Sequence, residues 1–447
     1  MMEKMKIVVT GTGYVGLVAG VCFAEKGYDV TCVDVDEEKI EKLSNGMLTI
    51  YEEGLEELLK KNIKKGNLHF TINYKDAYKD ADVIFIGVGT PEGKDGAANL
   101  FYVETVSRQI AETIEKDCLV VVKSTVPVGT NDKVETFIKE DLVNNVKVEV
   151  ASNPEFLSQG HAVRDTFEAK RIIIGTNSKK AEKLLKEIYE PFNLPIVSVS
   201  RRSAEMIKYA CNNFLALKIS YMNDIANLCE LVGADINEVA TGMSYDNRIG
   251  ADFLRAGIGY GGSCFPKDTK ALMYLAKQND YTLRTVQSAI EINEEQKIKL
   301  YKKACERLNN FEGLKVAILG VAFKVGTDDL REAPSLINID LLLERGANIY
   351  VYDPVAIENL KKRYYTRIHY TTNIEEAIKD SNVCFIFTEW EQIKEFKPRK
   401  YKELMKMPII YDGRNIYDTK EMKKNKIEYY SIGRYNKKNE EKQKIVE

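Results

Sequence analysis

The densest chemistry in the sequence is the run Gly257-Ile-Gly-Tyr260-Gly261-Gly-Ser-Cys264-Phe-Pro-Lys267-Asp268. Glycine-rich backbone can approach a ligand closely and offers its amides to phosphate. A thiol with an ordinary pKa of about 8.5 is only a few per cent ionised at neutral pH, yet it is intrinsically nucleophilic, and a nearby lysine raises the ionised fraction. The plain alternative for any cysteine is a small buried apolar residue. That suits the other seven, at 22, 32, 118, 211, 229, 305 and 384, which fall in apolar helical or strand patterns. Cys264 is the candidate nucleophile.

Three other clusters could serve it. Lys208 and Asn212 are one helical turn apart, which puts an ammonium and an amide on the same face, able to hold an oxyanion. A solvated surface pair is the bland alternative. Asn153-Pro154-Glu155-Phe156 follows a strand end, where doubly wound sheets bind ligands, so Glu155 is a candidate acid or base as well as a candidate surface acid. Lys123-Ser124-Thr125-Val126-Pro127-Val128-Gly129-Thr130 stands at another strand end and brings hydroxyls.

A fifth segment, Gly11-Thr12-Gly13-Tyr14-Val15-Gly16, lies between a strand pattern and a helix pattern. Its glycines permit a tight turn, close approach of backbone to a pyrophosphate and close helix–strand packing, and the helix N-terminus favours phosphate. Asp34 ends the next strand pattern, near the spacing of a ribose-binding acid. A carboxylate there accepts the 2′-hydroxyl of NAD and repels the 2′-phosphate of NADP. Asp36, Glu37 and Glu38 add negative charge, with Lys39 the close counter-charge, so NAD is the cofactor expected.

The elements that must position these residues read as α/β. Strands are expected at Lys6–Thr10, Val30–Asp34, Asp82–Val88, Cys118–Lys123, Val146–Ala151 and Arg171–Gly175, with amphipathic stretches 36–43, 52–65 and 102–116 between them, which implies a parallel doubly wound sheet. Ser203–Val232 reads as one long helix, capped by Ser200 or Ser203 and ended by Gly233. Its apolar stripe is Ile207, Cys211, Phe214, Leu217, Tyr221, Ile225 and Leu228. Residues 313–415 echo the first unit: Lys6–Gly11 compares with Lys315–Gly320, and KDADVIFIGVGT at 79–90 with KDSNVCFIFTEW at 379–390. The expected fold is two Rossmann-like doubly wound domains joined by a long central helix. The parts are 1–196, a helical 197–308 that carries the cysteine segment, 309–432, and a charged, disordered tail 433–447.

Composition narrows the classes. Of the 447 residues 44% are hydrophobic and 30% charged, and the net charge is −2, which suits a globular enzyme and gives no basic excess for a nucleic-acid partner. Three histidines leave little material for a His-centred triad or a multi-His metal site, so no metal is expected. Dispersed cysteines without CxxC spacing read as reduced thiols of a cytoplasmic protein. The uncharged stretch 7–24 could mimic a membrane span, but its glycines favour strand, turn and helix, and no membrane partner is expected.

Taken in order over about residues 5–416, GTGYVG, KSTVPVGT, NPEFL, EMIKYACNNFLALKISYMNDIA, RIGADFLRAGIGYGGSCFPKD, LGVAFKVGTDDLREAPS and YDGRN resemble the UDP-glucose 6-dehydrogenase family, within the nucleotide-sugar dehydrogenases. The resemblance implies oxidation of UDP-glucose to UDP-glucuronate with two NAD per turnover. Cys264 would act through a thiohemiacetal and a thioester. Glu155 would accept the proton in hydrolysis, Lys208 and Asn212 would stabilise oxyanions, and Asp268 and Thr125 would arrange the lysine or water. It carries Gly11 to Gly16, Asp34, Lys39, Thr90, Thr125, Lys267 and Arg331 over to NAD. Glu155, Phe156, Leu157, Gln159, Lys208 and Asn212 are carried over to the UDP-sugar. So are Arg248, Arg255, Gly257, Tyr260, Gly261, Lys324 and Arg414. Gln159 stands where the family often has Glu. Family members are typically oligomeric, so at least a homodimer is implied, with Arg248 a candidate for a neighbouring subunit's site. The alternatives are a dehydrogenase for another nucleotide sugar (UDP-N-acetylhexosamine or GDP-mannose), a two-electron β-hydroxyacid dehydrogenase, which needs no cysteine, and a non-catalytic NAD-binding regulator.

Overall fold

A computed structural model describes residues 5–434 and forms two compact units. One comprises the chain up to Cys211 with Lys270–Asp280; the other comprises Asn212–Thr269 and the chain from Tyr281 onward. The central stretch 197–308 is thus shared between the units. Met222, Ala226, Cys229, Ile236, Leu254 and Ile258 belong to the same hydrophobic core as the second sheet.

The first unit is built on eight strands: β1 (Lys6–Thr10), β2 (Asp29–Val33), β3 (Leu68–Thr71), β4 (Val83–Ile86), β5 (Cys118–Val122), β6 (Val148–Ser152), β7 (Ile172–Gly175) and β8 (Ile196–Val199). Their order is β3-β2-β1-β4-β5-β6-β7-β8. The first six are parallel in the dinucleotide-fold order. Strands β7 and β8 run parallel to each other and antiparallel to β6, so the sheet is not wholly parallel as the sequence pattern suggests. Every residue of β4 and β5 is buried, as expected of a sheet covered on both faces. Strands β3 and β8 escape the sequence pattern because they are short, partly polar edge strands (LHFT and IVSV). The uncharged stretch 7–24 folds as β1, a turn and the helix Tyr14–Glu25. Among the described residues no helix is long and apolar enough to cross a membrane.

The second unit repeats the order in six parallel strands, β11-β10-β9-β12-β13-β14. These are β9 (Lys315–Leu319), β10 (Asn348–Tyr352), β11 (His369–Thr371), β12 (Val383–Ile386), β13 (Ile409–Asp412) and β14 (Glu428–Tyr430). Structure continues past the expected start of the tail at 433. Gly433 and Arg434 are buried, the Gly433 amide donates to Glu230, and Arg434 donates to the Tyr417 carbonyl and the Tyr429 hydroxyl. The remainder of the expected tail, 435–447, lies outside the described residues.

The long helix spans Arg201–Val232. The Ser203 amide donates to Ser200 Oγ at 3.2 Å, and Gly233, at φ 80°, follows its last turn. Its buried face is not the expected stripe. Phe214, Tyr221 and Leu228 are 61%, 52% and 53% exposed, while Glu205, Lys208, Asn212, Asn213, Ser220 and Asn223 are buried. The buried polar groups have partners that a periodicity count cannot see: Ser220 donates to the Ala289 carbonyl, and Asn223 accepts the Gly257 amide.

Candidate active site

In the first unit the turn after β1 is closed by contacts only glycine allows. Gly11 has φ 92°, a Cβ on Gly16 would lie 1.8 Å from the Gly11 oxygen, and a Cβ on Gly87 would lie 3.0 Å from Gly16 Cα. A Cβ on Gly13, in contrast, meets nothing within 4 Å, which leaves open space at the start of the helix Tyr14–Glu25. Asp34, just beyond β2, accepts the Thr12 amide at 2.7 Å and the Thr12 hydroxyl at 2.6 Å, with Lys39 Nζ at 3.4 Å. Burial opposes ionisation of Asp34, but the Thr12 donors and Lys39 outweigh it and hold the carboxyl below its usual range. Its other oxygen accepts a single long bond from the Asp36 amide, 3.2 Å, and keeps lone pairs for a ribose hydroxyl. Open space at a helix N-terminus beside an ionised strand-end acid fits NAD. Thr90 donates to the Thr125 carbonyl at 2.8 Å, tying the ends of β4 and β5.

Glu155 and Lys208, unconnected in the sequence reading, form a buried ion pair of 3.0 Å with side chains 6% and 4% exposed. Glu155 also accepts the Leu157 amide at 2.5 Å. Burial pushes the carboxyl up, but Lys208, the Leu157 amide and Lys123 more than offset it, so it is held below its usual value, as a carboxylate. The Phe156 ring lies 4.1 Å from the Arg171 guanidinium and 5.3 Å from Lys208 Nζ. The loop beyond is pinned by Glu52, whose carboxylate accepts the Gly160 and Ala162 amides at 2.7 and 2.6 Å.

In the second unit Cys264 is exposed and immediately precedes the helix Phe265–Gln278; its carbonyl accepts the Asp268 amide at 2.8 Å. The sulfur-bearing residue thus stands at the amide end of a helix dipole, which favours negative charge. Asp268 is buried, pairs with Lys267 at 2.7 Å and accepts Asn212 Nδ2 at 2.6 Å. The glycine-rich run before Cys264 is clamped by side chains the sequence reading missed. Gly257 donates to Asn223 at 2.8 Å and accepts from Gln296 at 2.6 Å, and Tyr260 exchanges two bonds with Asn293. No sequence signal marks them: Asn293 and Gln296 stand among the charged residues of EINEEQK. A Cβ at Gly261 would lie 2.3 Å from the Glu332 oxygen, so the segment tolerates no side chain there. Tyr260 is buried and packs edge-on against Phe265; burial pushes its hydroxyl up to about 12.

The remaining expected residues divide. Arg414 donates to the Phe387 and Phe323 carbonyls at 2.8 and 3.0 Å and lies beside Gly257, which brings it to the cysteine segment. Lys324 sits in the loop after β9, its ammonium 5.9 Å from the Phe323 ring. The Gly262 amide donates to the Arg331 carbonyl, while the Arg331 guanidinium forks onto Asp329. Arg255 is exposed, and the Arg248 side chain is 90% exposed and paired with Asp246, so neither is drawn into the cysteine segment of its own unit. Cys305, expected to be buried, is exposed. Gln159 is half-buried in the loop after Glu155. Among the described residues no group of three or more His, Cys, Asp or Glu is placed to hold a metal ion.

Three profiles of the UDP-glucose/GDP-mannose dehydrogenase family match the chain: the NAD binding domain over 5–193, the central domain over 202–295 and the UDP binding domain over 317–419. The chain is 49% identical over 430 residues to a UDP-glucose 6-dehydrogenase of Bacillus subtilis, covering 96% of this chain and 98% of that protein. Its structure resembles that of a UDP-glucose dehydrogenase from Pyrobaculum islandicum (TM-score 0.90, 35% identity, 97% of this chain and 98% of that one). It also resembles a UDP-D-ManNAc dehydrogenase from Pyrococcus horikoshii (TM-score 0.85, 29% identity, 96% and 99%).

Proposed function

The chain belongs to the UDP-glucose/GDP-mannose dehydrogenase family, and from that premise we propose that it oxidises the C6 alcohol of UDP-glucose to the carboxylate of UDP-glucuronate. The observation that carries the reading is Cys264: an exposed thiol at a helix N-terminus, on a glycine segment clamped by Asn223, Asn293 and Gln296.

Gly11 to Gly16, Asp34 and Lys39, with Thr90 and Thr125 alongside, would hold NAD, which when bound would supply the hydride acceptor for both oxidations. The side chains supply the rest. Cys264 adds to the intermediate aldehyde and makes it tetrahedral, because an aldehyde carbon cannot give up a second hydride until a nucleophile has added. The oxidised adduct is a thioester on Cys264, which water hydrolyses. Glu155, buried and ionised, takes a proton from that water, and the Lys208 ammonium beside it and the Asn212 amide hold the oxyanion. Asp268 orients Asn212 and Lys267. Lys324 and Arg414 suit the diphosphate and uridine, with Gly257, Tyr260 and Gly261 lining the sugar. In this reading 1–196 serves the cofactor, 197–308 the chemistry and 309–432 the nucleotide.

The protein works as a homodimer or a larger homo-oligomer, supported by Phe214, Tyr221, Leu228, Leu231 and Val232, large apolar side chains exposed on one long helix. Arg248, exposed and held by Asp246 of its own loop, is the candidate to serve another subunit's site. The eight thiols suit a reducing cytoplasm.

NADH yield against a panel of UDP- and GDP-sugars tests the reading. Two NADH per UDP-glucose are expected, with UDP-glucose the preferred sugar; one NADH, or a preference for UDP-N-acetylhexosamine or GDP-mannose, overturns it. Glu155→Gln enzyme with excess NAD and UDP-glucose should give a burst approaching two NADH per site and a sugar-nucleotide adduct by intact mass, absent when Cys264→Ser is added. Neither burst nor adduct would remove Glu155 from hydrolysis.

A further inference from the structure

The ion pair of Glu155 and Lys208 has a third charged neighbour that no step above uses. Lys123 directly follows β5, and its Nζ donates to Asn153 Oδ1 at 3.0 Å. Asn153 is buried at the end of β6, two residues before Glu155. The same oxygen accepts the Tyr189 hydroxyl at 2.5 Å, while Asn153 Nδ2 donates to the Ile173 carbonyl and its amide to the Val122 carbonyl. The strand end that presents Glu155 is therefore braced from β5, β7 and the helix Lys179–Tyr189 at once. The Lys123 ammonium also acts on the Glu155 carboxylate through its charge. A second cation is thus tied to the strand end that presents a buried carboxylate, and a charge near a buried group is felt strongly there.

We propose that Lys123 is a positioning residue of the oxidation: through Asn153 it fixes the strand end that carries Glu155, and together with Lys208 it keeps the Glu155 carboxylate ionised. The inference rests on the role assigned above to Glu155. The other groups facing this cluster do not compete for the proton near neutral pH. Burial pushes the Cys22 thiol, on the helix Tyr14–Glu25, up to about 12, and pushes the Tyr189 hydroxyl above its usual range. Arg171 stacks on the Phe156 ring and donates to Cys211 Sγ on the long helix. Burial lowers Lys123 itself to about 8, against the pull of Glu155 and with the repulsion of Lys208, so the ammonium is present at neutral pH.

Lys123→Met removes the charge and keeps the apolar stem, and Asn153 Oδ1 still accepts Tyr189, so no buried acceptor is orphaned. The experiment measures kcat and KM against pH for wild type, Lys123→Met, Lys123→Arg and Tyr189→Phe. In Lys123→Met the acid limb of kcat moves up by about one pH unit, so that kcat falls about tenfold at a pH on that limb, while KM for UDP-glucose stays within about twofold. Lys123→Arg restores the limb, and Tyr189→Phe, which cuts a contact to the same oxygen without touching charge, leaves it in place. An unmoved limb in Lys123→Met overturns the proposal, and so does an equal loss of kcat at every pH, which marks a merely structural role. Lys123→Gln, neutral but still a donor to Asn153, takes the place of the Met variant if that one does not fold. The proposed activity is judged separately, by two NADH per UDP-glucose in wild type. If wild type fails that, the infrared carboxyl band of Glu155, isolated by subtraction of Glu155→Gln, still decides this inference: it must appear at higher pH in Lys123→Met than in wild type.

Discussion

The two sheets repeat one topology and one acid, and put that acid to opposite uses. Asp34 follows β2 and Asp353 follows β10, each at the end of the strand beside the first strand of its sheet. Asp34 spends one oxygen on Thr12 and Lys39 and keeps the other nearly open. Asp353 is 1% exposed and filled by the protein itself: one oxygen accepts the Val321 and Ala322 amides and the Trp390 indole, the other the Val355 and Ala356 amides. The register of the repeat pairs Thr90 with Trp390 and Gly87 with Phe387. The first half has a small residue and a glycine where the second has two large aromatic rings, so its turn can draw close to β4 and leave room for a ribose. The helix follows Gly11 after two residues in the first half, but in the second Pro334–Glu344 begins well after Gly320, beyond the loop that carries Lys324 and Arg331. A shared strand pattern therefore transmits the scaffold and not the ligand.

Exchange at these positions measures how deep the difference runs. Asp353→Ala should have the largest effect, leaving five donors without their acceptor. A loss of about 3–5 kcal/mol in denaturant unfolding is expected, and a loss below about 1 kcal/mol would mean the acid is not structural. Gly16→Ala drives a Cβ into the Gly11 carbonyl, so about 3 kcal/mol of stability and most NAD binding should go, whereas Gly13→Ala, facing open space, should keep its melting temperature and lose NAD affinity roughly tenfold. Calorimetry and thermal melts separate the two.

Asp34→Asn should weaken NAD about tenfold by titration calorimetry, through loss of a charge-assisted bond, and narrow the preference over NADP. It also carries a pH signature. Because the folded carboxyl is held below its unfolded value near 3.9, its contribution is present above that pH and disappears as pH falls through the lower folded value. Wild type and Asp34→Asn should therefore differ in stability at pH 6 and converge in acid. The smallest change is Lys39→Met, which removes a partly exposed 3.4 Å pair and should shift NAD affinity by no more than about threefold.

The chain order alone determined whatever depends on neighbours a few residues apart: the glycine turn, the reactive-looking cysteine with its helix, the buried central strands and the duplicated sheet. Steric limits on glycine, helix caps and apolar runs act over short distances, so they are written locally. Tertiary structure decided which polar groups meet. It joined Glu155 to Lys208 and Asn212 to Asp268, clamped the cysteine segment with Asn223, Asn293 and Gln296, and buried a mixed face of the long helix, polar and small apolar residues together, instead of its expected apolar stripe. It also sealed Asp353 with a tryptophan distant in sequence while leaving Asp34 open. These outcomes follow from where water is excluded once the sheets have packed, because a buried polar group must find a partner there, and no periodicity in the chain says which one it will be.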